Sequence, residues 1–306
     1  MTDSDESPTD QDVDVLVAMA LPTFDAPGVV AEPTAAESAA IAVSMELQQL
    51  GSQATWHEIR GSVAGVERGR VAELIGLAGA GGEQLGLAAT ASRDLGRWLA
   101  VETDINEGWG FATRAATERM VGYLHSASHH FGNVALRTLL LRPSTLGPFA
   151  QKAERFAAER PDAPPLWKPY STNAASYISL NRESARDLRK QARALGSGVF
   201  LEVAAAVSTV TADDRWERMT GRRHLEYHRW RTQTAPGADG AEDPWVVDEA
   251  SASMSLTVYA PGRTPFSPEA TITDATDARA GLELLSTAMR RWFDIWHDRS
   301  DELMGA

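Results

Sequence analysis

The sequence predicts a mainly α-helical protein, a multi-helix bundle with one short irregular or β excursion before the C-terminal helix. Three observations support this fold class. Apolar residues recur every three to four positions through most of the chain. Residues suited to helix caps stand at the ends of several of these segments. Helical periodicity is then lost over 232–274, where glycine and proline are frequent. We therefore expect a set of helices around one core.

The apolar period predicts the individual helices in chain order. They fall at about 35–50, 66–77, 83–104, 111–141, 148–160, 182–195, 199–210, 213–231 and, last, a helix that ends near 303. Asn181 and Gly196 suit the two caps of the 182–195 helix. The run at 79–82 contains three glycines, but no apolar strand precedes it and no Walker lysine follows it. This run therefore predicts a connection between two helices rather than a phosphate loop.

The ends of the domain follow from composition. Residues 1–35 are acidic or rich in proline and show no sustained period, which predicts a disordered acidic tail. Residues 36–306 are then expected to form a single helical domain. Within it, residues 232–274 form a Pro/Gly-rich loop or a short β-hairpin, because Met254, Leu256 and Val258 alternate with polar residues.

Composition excludes several kinds of site. The chain has no cysteine, so disulfides, thiolate nucleophiles and cysteine-ligated metals are ruled out. Its net charge of −13 argues against a surface that coats nucleic acid or membrane, although a local basic site remains compatible. The acidic start differs from a signal peptide, and no apolar run is long enough for a membrane span, so a cytoplasmic protein without membrane contact is expected. The strong preference for arginine over lysine indicates a bacterial source.

Two histidine pairs form the first candidate site. His125 and His129, like His224 and His228, are four residues apart and so share one face of a helix. A glutamate stands seven residues before each pair, at Glu118 and Glu217. The segments 118–129 and 217–228 share six residues at equal spacing, with glycines at 122 and 221 that would leave room for a ligand or a close helix contact. Imidazole and carboxylate ligands predict a transition-metal site for Fe, Mn or Zn between two helices, in an oxidoreductase or a hydrolase.

The second candidate site overlaps the first. Arg223 and His228 form an R-x4-H motif that resembles that of the HEPN superfamily, helical bundles of which many are metal-independent ribonucleases or toxin and defence proteins. The resemblance covers about eight residues. It implies that His228 is a general acid or base, that His224 is the polar residue after the arginine, and that Arg223 stabilises the phosphate in the transition state. It also implies RNA as substrate, no cofactor and a homodimer. Arg222, Arg229 and Arg231 would bind backbone phosphates.

The R-x4-H motif also predicts where its helix starts, and a third function remains open. Five residues on a regular helix turn by about 140°, so Arg223 and His228 converge on one chain only if the helix starts or kinks near Gly221, with Thr220 as cap. The third hypothesis is a non-catalytic interaction or regulatory protein, whose acidic tail and 232–274 loop bind a protein partner.

Overall fold

The structure is a computed structural model. It describes residues 32–50, 66–100, 107–141, 154–155, 157–162, 177–228, 245–248, 253–256 and 267–304. For residues 66–68, 107–108, 111, 222–228 and the two strands it describes the backbone alone. The long helices within this part of the chain are α1 (Ala35–Gln49), α2 (Val66–Leu99), α3 (Glu107–Leu139), α4 (Arg182–Leu195), α5 (Gly198–Ala212), α6 (Asp214–His228) and α7 (Pro268–Met304). Residues 154–155 and 157–159, within the helix predicted at 148–160, are helical as well. Strands β1 (Trp245–Asp248) and β2 (Ser253–Leu256) precede α7. The mainly α bundle with a short β excursion is thus confirmed.

Helices α2 and α3 form a long antiparallel hairpin. Arg137 near the end of α3 donates to Glu73 near the start of α2, at 2.9 Å. Arg119, early in α3, lies 3.5 Å from Asp94, late in α2. Helix α1 packs on α2, and α7 contacts every one of these three helices as well as α5 and α6. All the buried apolar residues of the described chain except Trp109 and Ala112 form one continuous cluster.

The aromatic centre of this cluster lies on α7. Trp292 and Trp296 are fully buried and stacked, with ring centres 5.8 Å apart. The indole N–H of Trp292 donates to the Thr138 hydroxyl on α3 at 3.0 Å, which satisfies a polar group that burial would otherwise penalise. The predicted apolar stripe of the last helix is therefore confirmed as core.

The prediction of a helix break at residues 79–82 is wrong, because α2 runs without interruption from Val66 to Leu99. The glycines are needed for packing. A Cβ on Gly82 would lie 2.8 Å from the Cβ of Leu47 and 3.0 Å from the carbonyl oxygen of Ser44, both on α1. Distances this short show that α1 approaches the backbone of α2 more closely than a side chain would permit. A glycine run that weakens a helix by itself is here retained by tertiary contact.

The predicted caps are confirmed at α4. The side chain of Asn181 accepts from the backbone N–H of Ser184, whose hydroxyl in turn accepts from the Asn181 backbone N–H. Gly196 ends the helix with φ of 70°, the left-handed conformation that glycine adopts without strain.

The excursion before α7 contains the predicted hairpin, with Trp245 opposite Leu256 and Asp248 opposite Ser253 in an antiparallel pair. The prediction that the non-helical excursion extends to residue 274 is wrong, because α7 begins at Pro268. The Ser267 hydroxyl accepts from the backbone N–H of Ala270, and proline suits the first helical position because its missing N–H needs no partner. Of the tail predicted at 1–35, residues 1–31 lie outside the described part of the chain. The end of the predicted tail is wrong, because Thr34 caps α1 and Ala35 is its first residue.

Membrane insertion of a helix finds no support in the described residues. None of their helices combines the length and the apolarity that crossing a bilayer requires.

Candidate functional site

A pair of histidines lies on the exposed side of the middle of α3. The Nε2 atoms of His125 and His129 are 3.2 Å apart, and their ring centres are 4.2 Å apart with the planes inclined by 41°. Both side chains are half-buried. The four-residue spacing therefore places the two imidazoles edge to edge, as the sequence predicts.

An extended segment lies beside the pair. Residues 177–180 alternate in burial, with Ile178 and Leu180 inside and Tyr177 and Ser179 outside. The ring centre of Tyr177 is 6.2 Å from that of His129, with the planes inclined by 42°. The segment thus brings a phenol to the face of α3 that carries the histidines.

Asn133 holds this segment to α3. Its side-chain amide donates to the carbonyl oxygen of Ile178 at 2.9 Å and accepts from the Ile178 N–H at 2.9 Å. The same amide donates to the carbonyl oxygen of His129 at 2.7 Å. At Gly132 an added Cβ would lie 3.4 Å from the side chain of Leu180, so the segment also packs closely on α3. These contacts fix Tyr177 with respect to the turn of α3 that carries His129.

His130 belongs to a different environment. A Cβ on Gly81 of α2 would lie 3.1 Å from the Cβ of His130 and 3.3 Å from Met289 of α7. His130 therefore faces the helix interface, where burial lowers the pKa of its imidazole. Of the three histidines in this stretch, His125 and His129 alone form a pair.

The spacing of the two Nε2 atoms suits two kinds of chemistry. In a hydrogen bond, one neutral ring donates to the other. In a metal site, two imidazoles about 2.0–2.1 Å from a tetrahedral ion would have nitrogens about 3.3–3.4 Å apart. The observed 3.2 Å lies within a small adjustment of that value. The pair can therefore form one edge of a coordination polyhedron without rearrangement of α3.

The two glutamates predicted to assist this site are engaged elsewhere. Glu118 accepts from Arg114 at 2.8 Å on the same helix, and Glu217 lies 2.8 Å from Arg182 of α4. Glu118 is also seven residues, or about 10 Å of helix, from His125. No group of three or more histidines and carboxylates within the described residues is arranged to hold a metal ion.

The second histidine pair lies on α6, whose backbone is helical from Asp214 to His228. The side chains of His224 and His228 are outside the described part of the chain. Helices α3 and α6 are in contact. Among the described residues, no atom lies within 4 Å of a Cβ added at Gly122 or Gly221, so neither glycine is required for a close contact between the described helices.

The predicted helix start at Gly221 is wrong. Helix α6 continues through it, and the Thr220 hydroxyl donates back to the carbonyl oxygen of Trp216 instead of capping a new helix. The cap is at Asp213, whose carboxylate accepts from the backbone N–H of Arg215 at 2.8 Å. The guanidinium of Arg215 hydrogen-bonds to the same carboxylate and is the main cause that lowers the pKa of Asp213 to about 2.

This continuity constrains the ribonuclease hypothesis. Arg223 and His228 occupy one uninterrupted helix, so their Cα positions are rotated by about 140° about its axis. A shared phosphate site then needs a second element or a second chain. The side chains of Arg222, Arg223 and His228 and the residues Arg229 and Arg231 lie outside the described part.

The basic residues at the start of α6 are neutralised by acids. Arg218 donates to both carboxylate oxygens of Asp277 on α7, at 2.9 and 2.8 Å, and this bond raises the pKa of Arg218. Arg215 is bound to Asp213. Among the described side chains, the first turns of α6 therefore act as a docking face toward α7 and not as a phosphate-binding surface.

The sequence offered a partial signal for what was missed. Asn133 continues the four-residue spacing of His125 and His129 along one face of α3, which places it beside them. Nothing in the sequence connects Tyr177 to this face, because the contact joins residues 48 positions apart through an irregular segment.

Comparison with protein-family models, with curated proteins and with solved structures finds no match to this chain.

Proposed function

We propose that this chain is a transition-metal-binding helical protein in which His125 and His129 hold the ion, and that it acts as a metal-dependent hydrolase or oxidoreductase. The observation that carries the proposal is the 3.2 Å separation of the two Nε2 atoms. Imidazole pairs are preferred ligands of Zn, Fe and Mn, and bundle proteins hold such ions between their helices.

Two imidazoles leave coordination positions open. Water fills such positions in catalytic sites, where Zn²⁺ lowers the pKa of the bound water to about 7 and so supplies a hydroxide nucleophile. An iron or manganese ion would instead support redox chemistry. His224 and His228 remain the predicted further ligands, because α6 contacts α3.

The test is metal binding by the full chain purified without a histidine tag. Calorimetric titration with Zn²⁺ is expected to show one site, and His125→Ala and His129→Ala should each weaken binding at least about tenfold. The matched control is His297→Ala, which removes an exposed histidine that stacks on Phe293 of α7. Equal binding by all four proteins would overturn the proposal, as would a wild type that binds none of Zn²⁺, Cu²⁺ and Fe³⁺.

The HEPN-like ribonuclease is the second candidate. The observation in its favour is that the R-x4-H motif lies within a helix of a mainly helical bundle, as the resemblance implies. Its site would form across a homodimer, because one α6 separates Arg223 from His228 by about 140°. RNA cleavage without added metal, lost in both Arg223→Ala and His228→Ala but retained in His125→Ala, is the expected result. A protein that neither binds metal nor cleaves RNA would leave the non-catalytic interaction hypothesis.

A further inference from the structure

The phenol beside the histidine pair lies at the surface and not in the described core. Tyr177 is 42% exposed, while its neighbours Ile178 and Leu180 are buried. Its ring nonetheless lies 6.2 Å from the His129 ring. A large aromatic side chain at the surface, next to two imidazoles, is a group available to a ligand.

The hydrogen bonds of the Asn133 side chain hold the segment that carries this phenol against α3. The Asn133 side chain is 3% exposed and makes two bonds to Ile178 and one to the carbonyl oxygen of His129. A buried amide that is fully bonded resists displacement, because each broken bond would leave a buried polar group without a partner. Asn133 binds the backbone of Ile178, the immediate neighbour of Tyr177, and the backbone carbonyl of His129. It therefore fixes Tyr177 and His129 relative to each other.

We propose, on the basis of the metal site above, that Tyr177 is a further ligand of the ion held by His125 and His129, and that Asn133 is the positioning residue. The donor atoms of imidazole and phenol lie at the edges of their rings, so an ion between the rings can be reached by both. On binding, the phenol loses its proton to water and an oxygen–metal bond replaces the O–H bond. An anionic phenolate with two imidazoles favours Fe³⁺ or Cu²⁺ over Zn²⁺.

The diagnostic readout is optical. Phenolate bound to Fe³⁺ or Cu²⁺ absorbs visible light by charge transfer from ligand to metal, whereas phenolate bound to Zn²⁺ does not. The full metal-free chain is titrated with Cu²⁺ and, separately, with Fe³⁺. We expect an intense charge-transfer band that saturates at one equivalent and is absent from Tyr177→Phe, in which Cu²⁺ should keep only the weak d–d absorption of its imidazole complex. The control is Tyr123→Phe, which removes a phenol from α3 two residues before His125 and should keep the band.

Asn133→Ala tests the positioning role. At saturating Cu²⁺ its band should be weaker or displaced, while Zn²⁺ still binds through the histidines. Because Tyr177 is exposed, Tyr177→Phe should fold normally. It tests the ligand role of Tyr177 even if Asn133→Ala does not fold. Tyr177→Phe should also retain Zn²⁺ affinity within about tenfold.

The outcomes separate the two proposals. Failure of the wild type to bind any of Zn²⁺, Cu²⁺ and Fe³⁺ would overturn the metal function itself. Metal binding without a charge-transfer band, or with one that Tyr177→Phe retains, would overturn only the role of Tyr177.

Discussion

Residues 118–129 of α3 and 217–228 of α6 share six residues at equal spacing, and their first turns behave alike. Met120 and Met219 are both buried. Glu118 and Glu217 both form ion pairs with arginines at the surface. The arginine that follows each glutamate reaches an aspartate on a neighbouring helix. The same three letters, Glu-Arg-Met, therefore produce the same kind of helix contact twice.

The two segments then diverge. Leu124 of α3 is fully buried, and Ala127 and Phe131 continue the buried face. The position of α6 equivalent to Leu124 is Arg223. Helix α3 lies in the middle of the bundle and contacts α2, α4, α5, α6 and α7, whereas α6 contacts α3, α5 and α7. The shared residues are thus explained by how each helix packs on its neighbours. They do not require two equivalent metal-binding faces.

The largest expected difference between the two helices concerns their methionines. Met120→Ala should lower the free energy of unfolding by about 2–5 kcal/mol, because Met120 is fully buried and its truncation would leave a cavity in the core. Met219→Ala should cost less, since Met219 lies at the edge of the core against Gly281. Urea unfolding measures both, with the exposed Met45→Ala as a control that should change stability by less than about 0.5 kcal/mol. A larger loss for Met219→Ala would show that α6 is as deeply packed as α3.

The next largest difference is expected between the two aspartates that pair with these arginines, Asp277 and Asp94. Asp277→Asn should cost about 1.5 kcal/mol, because a nearly buried carboxylate loses two charged hydrogen bonds from Arg218. Asp94→Asn should cost less than about 0.5 kcal/mol, since its nearest arginine nitrogens are 3.5 and 3.6 Å away and the carboxylate is partly exposed. Chemical denaturation at neutral pH compares the two. Equal losses would contradict the contrast between the tight Arg218–Asp277 pair and the loose Arg119–Asp94 pair.

The glycines should respond in the opposite direction. Gly122→Ala and Gly221→Ala are each expected to stabilise the protein by about 0.5–1 kcal/mol, because alanine favours the helix and the added methyl meets no neighbour. Gly82→Ala is the control, since its methyl would clash with Leu47 and Ser44 of α1. Thermal unfolding should show a higher Tm for the first two variants and a lower one for the third. Destabilisation by Gly221→Ala would indicate a contact made by α6 beyond the described residues.

The smallest effect is electrostatic and confined to the start of α6. Asn is as good a cap as Asp, so Asp213→Asn removes the charge while keeping the cap. The pKa of Asp213 is lowered from 3.8 to about 2, so its contribution is complete above about pH 4, falls as pH drops and is absent below about pH 2. Because the pair is exposed, the loss at pH 7 should stay below about 0.5 kcal/mol. Unfolding curves of the two proteins should therefore converge between pH 4 and 2, and a difference that grows in acid would refute the assignment.

The fold was largely predictable because its signals are local. The apolar stripe of α7, the Asn181 cap of α4 and the hairpin at 245–256 all follow from residues a few positions apart. The errors share one cause. The glycines at 79–82, the Gly221 position and the start of α7 at Pro268 were judged by local propensity, which tertiary packing and a serine cap override.

What the sequence by itself determined is the helical class, the capped ends and the face shared by His125 and His129, because helical geometry alone relates residues four apart. What only the tertiary structure decided is which distant groups meet there. Asn133 binds Ile178, and Tyr177 reaches His129, through a segment whose course no periodicity predicts. Glu118 and Glu217 were drawn instead to arginines, since an ion pair at the surface is available to any carboxylate within reach. Long-range contacts of this kind arise from how the helices pack, and a linear pattern does not contain that information.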